Sequence, residues 1–447
     1  MHPYLEQDIP LVAVCNISET FYKFLSREAN PDQRAQLIHG EQYRGDRALV
    51  WLGASKLSFI SFPVDHGEWL CRQFGYGDTQ WGTPRDPSAW LCRDIVEDPA
   101  LLKMIVDHAG PNQTIQMIPY ATTPEFYHLI EVLRTEYGLT VLTPETPDEN
   151  ALWLRDYLDT KSGFRTLASR WLPDADRLLP EGYICPTWEA AADVASWFCA
   201  QDRSCVLKAD IGENGFGNII QTEANLTCNQ VVEVIRDNPL LHGDSITVEE
   251  YIPSARSLSP SLEMVVPSPE WGEPYVTYLS KQLMVGFGDF YGVLVSSELN
   301  AAPWARPLCE AGRRIAHEMQ QLGYVGHFDL DAIVDDSDMV YLVEINTRRT
   351  GGTHVHEFGW HVFGPDYLDR VSLLSNDAIS SGRINRFDDL VTVTADLLYP
   401  INDQERGIVI TGTSALSAGE FGAIVVGQST ADIQDLIEQL TGRIQQA

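Results

Sequence analysis

"LVEINTRRTGGTHVH", residues 342–356, decides how this chain is read. An apolar run carries a carboxylate, Glu344, and an amide, Asn346, two positions apart, and two arginines, Arg348 and Arg349, follow where the run ends. Residues two apart on a strand share a face, so Glu344 and Asn346 project together. Upstream lies a second run, "HFDLDAIV" (327–334), joined through the turn "DDSD" (335–338). With that turn centred on Ser337 and Asp338, the runs pair as a hairpin in which Asp331 faces Glu344 and Asp329 faces Asn346. All four polar side chains then share one face with Ile333 and Leu342.

Like charges directly opposite each other destabilise a sheet, so Asp331 facing Glu344 calls for a cation. Asp331, Glu344 and Asn346 offer only oxygen, which suits magnesium or manganese rather than zinc. An acidic hairpin face turned to water is the plainer reading; Ile333 and Leu342 on the same face argue against it. A metal held by carboxylates keeps positions open for phosphate oxygens, and the planar fork of arginine matches phosphate or carboxylate. Arg348 and Arg349 are therefore candidates for anion contact, against the alternative of a surface pair balancing local acid.

The rest of the chain sets limits. At 447 residues it is long enough for two to four domains, and 44% hydrophobic residues mark a globular composition. A formal net charge of −32 excludes nucleic acid and anionic membrane as general partners, since both require basic surface. The eight cysteines (Cys15, Cys71, Cys92, Cys185, Cys199, Cys205, Cys228, Cys309) are scattered without a C-x-x-C and read as reduced packing thiols. No signal peptide is legible at "MHPYLEQDIPLVAVC", and no apolar run reaches the ~18 residues of a membrane span. Cytoplasm is the expected location; a homo-oligomer is left open.

Residues 1–150 read as an α/β layer with a parallel sheet: strands in "LVAVCNI", "ALVWLG", "LSFISFP" and "LTVLTPE", and a helix in "PEFYHLIEVLRTEYG". "TPETPDEN" (143–150) reads as a linker. Residues 151–255 open with one helix, "ALWLRDYLDTKSGFRTLASRWL", then strand "CVLKAD", the loop "IGENGFGN", helix "CNQVVEVIRDN" and strand "SITVEEYI". Residues 256–370 carry the longer strands "SLEMVVP", "PYVTYLSKQLMV", "GHFDLDAIV" and "MVYLVEIN", with the helix "LCEAGRRIAHEMQQLG". The tail, 371–447, has a helix, strands "GIVITGTSA" and "GAIVVGQS", and a last helix "DIQDLIEQLTGRIQ".

Lys208 ends a strand before Gly212, Gly215 and Gly217. Glycines let backbone N–H groups close over phosphates, although the spacing is neither a P-loop nor a dinucleotide fingerprint, and such a loop can equally be a plain turn. Lys161 is a second cation, in "DTKSGFR". In "ITVEEYIP", Glu249, Glu250, Tyr251 and Ile252 form a strand end whose backbone could read an adenine rim, or simply an acidic strand.

In this order the pieces resemble the ATP-grasp superfamily over roughly residues 155–355. The resemblance implies an ATP-grasp fold of α/β class with α+β elements, a Rossmann-like pre-ATP-grasp domain (1–150), a central subdomain (151–255), a C-terminal subdomain (256–370) and a small C-terminal α/β domain (371–447). It implies Lys161 and Lys208 as phosphate-binding lysines, Gly212, Gly215 and Gly217 as the phosphate loop, and Glu249–Ile252 as the adenine hinge. Asp331, Glu344 and Asn346 become ligands of Mg2+ (or Mn2+), and Arg348, with Arg349, the catalytic arginines. The ribose contact is not legible; Glu263 and nearby serines are candidates. The "NTRRTGGTH" run and the N-terminal domain look most like the pheganomycin-type peptide ligases. The activity so implied is an ATP-dependent ligase joining a small-molecule or peptide carboxylate to an amine through an acyl phosphate. A catalytically inactive nucleotide-binding module and a small-metabolite ligase are the alternatives. His354 and His356 lack a third partner at zinc spacing and read as a substrate-lining or plain loop.

Overall fold

The computed structural model describes residues 5–64, 66–212, 217–222, 226–238, 241–285 and 289–447. Three sheets organise it. The first is parallel, in the order β3-β2-β1-β4-β5, with β1 Leu11–Val14, β2 Leu57–Phe59, β3 Gln80–Gly82, β4 Thr114–Pro119 and β5 Thr140–Leu142. Its central strand "LVAV" is buried on both faces. Val12 and Val14 pack on the helices Leu91–Glu97, Pro99–Ala109 and Pro124–Thr135, while Leu11 and Ala13 enter a core shared with the C-terminal tail. Burial on both sides is why this strand reads as continuous rather than alternating.

The second sheet is antiparallel, β6-β9-β7-β8, from β6 Gly182–Cys185, β7 Cys205–Ala209, β8 Asn218–Gln221 and β9 Ile246–Glu250. The helices Trp188–Cys199 and Cys228–Asp237 pack against it. The third sheet has eight antiparallel strands, β14-β13-β10-β11-β12-β15-β17-β16. These are β10 Pro260–Val266, β11 Tyr275–Val285, β12 Asp289–Val295, β13 Gly326–Val334, β14 Val340–Asn346, β15 Ser372–Ser380, β16 Gly407–Gly412 and β17 Glu420–Gly427. Strands of residues 371–447 thus extend the sheet of 256–370 instead of building one of their own. The amphipathic helix Ala305–Gln321 covers the β10–β13 end with Leu308, Ile315 and Met319.

Several expectations are corrected. "ALVWLG" is buried but is not a strand: Arg44–Leu49 is a 3-10 turn, and a short apolar run cannot distinguish the two. The fourth strand is instead "TIQMIP", whose Gln116 is satisfied by the carbonyls of Glu6 and Ile9 at 2.7 and 2.9 Å. The helix expected over 151–172 breaks at Asp159 and Thr160; Thr160 Oγ1 accepts from the Gly163 N–H at 3.0 Å, so Lys161 begins a new helix, Lys161–Trp171. The linker 143–150 is not free chain, because Glu145 and Thr146 are buried. Cys199 and Cys228 form a disulfide between their two helices, Cα atoms 6.0 Å apart; the other six cysteines are free. No described helix is long and apolar enough to cross a membrane.

Candidate active site

The hairpin register is the one the sequence predicts: Asp331 pairs with Glu344 and Asp329 with Asn346. Beyond Asp331 the register shifts by a bulge, so Leu342 lies opposite Ala332. That turns Leu342 into the core under helix Ala305–Gln321, and it does not share the polar face as expected. Ile333 does line the cavity. On its other side β13 pairs with β10, setting Ser261 beside Asp331 and Glu263 beside Asp329.

These strands form one wall of a cavity of about 920 Å³ lined by the second and third sheets and by residues of the N-terminal domain outside its sheet, among them Ile17, Arg47 and Tyr120. Lys208, Glu249, Glu250, Tyr251 and Ile252 line it from the small sheet; Asp329, Asp331, Glu344, Asn346 and Arg348 line it from the large one. Lys161 Nζ lies 2.5 Å from Glu344 Oε1. Lys208 Nζ lies 2.6 Å from Glu249 Oε2 and donates to the Val343 carbonyl at 3.0 Å. Gly217 takes φ +89°, a left-handed conformation that favours glycine, and a Cβ there would come within 2.9 Å of the Ala209 side chain. Gly212 precedes the loop; Gly215 lies outside the described residues.

Asp331 Oδ1 accepts from Gln282 Nε2 at 2.8 Å, and Oδ2 from Asn346 Nδ2 at 3.2 Å. Burial, and then the Glu344 carboxylate, push Asp331 well above the usual carboxylate range. Asp329 is pushed up too, by burial and then by Asp331. Its Oδ2 accepts from Ser261 at 3.1 Å, while its buried Oδ1 has no hydrogen-bond partner among the described residues. Among the described residues no three His, Cys, Asp or Glu side chains converge as a metal cluster. The donor set is two facing carboxylates, Asp331 and Glu344, and the Asn346 amide, with the orphaned oxygen of Asp329 on the next cross-strand pair. That set fits a hard cation which completes its shell with water and phosphate oxygens, once Glu344 exchanges Lys161 for the ion. Asp329 was placed on this face by the sequence but given no role.

The two arginines part company. Arg348 lines the cavity, its guanidinium 4.8 Å over the Phe21 ring. Burial alone would raise Asp159, but Arg348 and Arg155 outweigh it and hold that carboxyl below its ordinary value. Arg349 is 1% exposed and does not line the cavity. Its Nη2 lies 2.7 Å from Glu145 Oε1, its Nη1 2.7 Å from Glu357 Oε1, and its guanidinium stacks 5.3 Å over Trp51. The expected catalytic role for Arg349 is therefore withdrawn: two glutamates already neutralise it behind the cavity wall. Replacing it with alanine strands both carboxylates in the core, and should cost about 3–5 kcal/mol of stability. Urea unfolding of Arg349→Ala reads this directly; unchanged stability would refute the structural role.

Glu263 is not a ribose contact either. It is 1% exposed and accepts from Tyr278 Oη, Thr350 Oγ1 and Thr353 Oγ1, each at 2.8 Å, with His327 Nδ1 at 3.0 Å. It anchors the turn that follows Arg348. A Cβ on Gly352 would run into the Tyr278 hydroxyl, so the double glycine lets this turn close against β11. His354 and His356 lie on the helix Thr353–Phe363, not in a loop; His356 Nδ1 is 3.0 Å from Tyr367 Oη. Burial would lower His327, but Glu145 and Glu263 on either side outweigh it and raise the imidazole to about 9. A raised pKa stabilises the fold fully below the unfolded value near 6.5, and that contribution is lost as pH rises through about 9. The melting temperature should fall across that window, and His327→Gln should flatten the slope; equal slopes would show that His327 is not charged.

No family model and no curated protein matches the sequence. Solved structures match its shape over nearly the whole chain. An N5-carboxyaminoimidazole synthase from Aspergillus clavatus, in complex with ADP and 5-aminoimidazole ribonucleotide, is 11% identical with TM-score 0.53, covering 98% of this chain and 100% of that one. Biotin carboxylase from Campylobacter jejuni is 14% identical with TM-score 0.55, covering 94% and 88%. The biotin carboxylase domain of Hydrogenobacter thermophilus 2-oxoglutarate carboxylase, in complex with MgADP and bicarbonate, is 14% identical with TM-score 0.54, covering 95% and 87%. The chain has the ATP-grasp fold. In that fold the cavity lies between the small sheet carrying Lys208 and the large sheet carrying Asp331 and Glu344.

Proposed function

We propose that this protein is an ATP-dependent, ADP-forming ligase that joins a carboxylate to an amine through an acyl phosphate. One observation carries the reading: Lys208, Asp331, Glu344, Asn346 and Arg348 line a single cavity, with Lys161 paired to Glu344 at its edge. The backbone of Glu250 and Ile252 would receive the adenine. Lys161 and Lys208, now neutralised by Glu344 and Glu249, would turn to the phosphates when the nucleotide enters. Asp331, Glu344 and Asn346 would hold magnesium, with manganese as substitute, and the ion supplies charge neutralisation between phosphate oxygens. Phosphoryl transfer needs positioning and electrostatics more than a nucleophilic side chain. Arg348 would stabilise the acyl phosphate and the oxyanion formed when the amine attacks.

Peptide-bond formation is the finer form of this proposal, supported by "NTRRTGGTH" and the N-terminal domain. A second reading, a small-metabolite ligase, draws support from the shape match to a synthase bound to 5-aminoimidazole ribonucleotide. Against an inactive nucleotide-binding module stands the convergence of Lys208, Asp331, Glu344 and Asn346 on one cavity, with Lys161 paired to Glu344. ADP release measured with MgATP against a matrix of carboxylates and amines tests the proposal. Carboxylate-dependent ADP release with amide product supports it; ADP release that no carboxylate stimulates refutes it.

A further inference from the structure

The cavity extends well past the lysine and carboxylate end. Asp377 on β15 lies four strands from β13 in the sheet order, about 19 Å at ordinary strand spacing. There it meets Arg47, from the 3-10 turn of the N-terminal domain, Nη2 to Oδ2 2.8 Å. Both side chains are 9% exposed, and both residues line the cavity. The pair is not a saturated strut like Arg349 between its two glutamates. Arg47 Nε makes no hydrogen bond among the described residues, and Asp377 Oδ2 has only its ion-pair contact with Arg47; Thr411 Oγ1 on β16, also cavity-lining and without a hydrogen bond, lies 3.2 Å and Asp377 Oδ1 3.5 Å from the point where a Cβ on Gly422 would stand. His354, wholly buried, stands 3.6 Å from the other Asp377 oxygen without hydrogen-bonding it. Asp46 is a contrast: it accepts from the Thr413 and Ser414 N–H groups at 2.8 and 2.9 Å and is fully engaged.

Buried polar atoms are normally partnered, and a buried ion pair offsets its desolvation only when its remaining hydrogen-bonding positions are filled. A cation and an anion joined by a single contact, with hydrogen-bonding positions left over on Arg47 Nε and Thr411 Oγ1, are the complement of a molecule carrying both charges. We propose that Arg47 and Asp377, with Thr411, form a subsite for the zwitterionic head group of one organic substrate, Arg47 taking its carboxylate and Asp377 its ammonium. The subsite is in reach of the reacting centre. Arg47 Nη1 lies 3.6 Å from the point where a Cβ on Gly351 would stand, and the three residues from Gly351 back to Arg348 span at most about 11 Å. A molecule anchored here is therefore within reach of Arg348. The subsite joins the N-terminal domain to the tail, which gives those segments a part in choosing the substrate. This inference rests on the ligase reading of the cavity.

The test is binding, measured by thermal shift in the presence of Mg2+ and a non-hydrolysable ATP analogue, with nucleotide affinity determined on the same samples. The probes are the common α-amino acids, including lysine, ornithine, aspartate and glutamate, each beside its N-acetyl and carboxamide forms. At least one free amino acid should raise the melting temperature while both of its blocked forms do not. Asp377→Asn and Arg47→Gln should weaken that binding at least tenfold and leave nucleotide affinity within twofold of wild type. Thr411→Val, which removes one hydroxyl, should weaken it less and guards against a variant that fails to fold. If no free amino acid shifts the wild type beyond its blocked forms, or if Asp377→Asn binds as wild type, the subsite is wrong although the ligase reading stands. Absence of nucleotide binding by the wild type would overturn the ligase reading and the subsite with it.

Discussion

Arg348→Ala should keep ATP affinity and lose product, at a cost of about 3–4 kcal/mol of barrier, the size that follows removal of one oxyanion donor. The structure isolates this arginine from its neighbour. Arg348 presents its guanidinium to the cavity over Phe21, whereas Arg349 is consumed by Glu145 and Glu357. Arg348→Lys should recover little, since a point charge cannot reproduce a bidentate fork, and the stacking on Phe21 would weaken as well. Steady-state kinetics with nucleotide affinity measured separately makes the distinction. If Arg348→Ala merely weakens ATP binding while bound ATP turns over normally, the residue is a ground-state contact and its catalytic role is wrong.

Asp331→Asn and Glu344→Gln should abolish ADP formation in a protein that remains folded. The buried Asp331 faces the half-buried Glu344 carboxylate across paired strands and is raised above its ordinary range, so neutralising Asp331 relieves repulsion in the metal-free state, whereas Glu344→Gln also leaves the buried Lys161 ammonium without its carboxylate. The melting temperature of Asp331→Asn without metal should therefore hold or rise while activity at saturating magnesium disappears. Opposite signs on stability and activity separate a ligand from a core residue, whose loss lowers both. Wild-type turnover in either variant would end the metal assignment. Asp329, with its unpartnered oxygen, should join the same pattern in Asp329→Asn.

The hairpin was legible because its information is local. Period-two alternation and a short turn fix which residues face each other, and the Asp331–Glu344 and Asp329–Asn346 pairs follow from chain order alone. The same holds for the strand before the glycine loop and for the helix Ala305–Gln321, whose apolar stripe is strong. Where the reading failed, the deciding contact was distant in sequence. Leu342 left the polar face because a bulge after Asp331 resets the alternation. Glu145, in a stretch that reads as linker, is buried because Arg349 lies 204 residues further along the chain. Glu263 looked available to a ribose until Tyr278, Thr350, Thr353 and His327 closed on it.

The sequence by itself determined the paired carboxylates, the two lysines, the strand Ile246–Glu250 and the order in which they occur, because each depends on spacing within one element or on adjacent elements. Only the tertiary structure decided which arginine faces the cavity. Arg348 and Arg349 are adjacent and chemically identical, and successive residues leave an extended chain on opposite sides; which side is core depends on where Glu145, Glu357 and Trp51 come to rest. The far end of the cavity was likewise invisible, since Arg47 lies more than three hundred residues before Asp377 and Thr411 and meets Asp377 only because the tail strands complete the large sheet against the N-terminal domain.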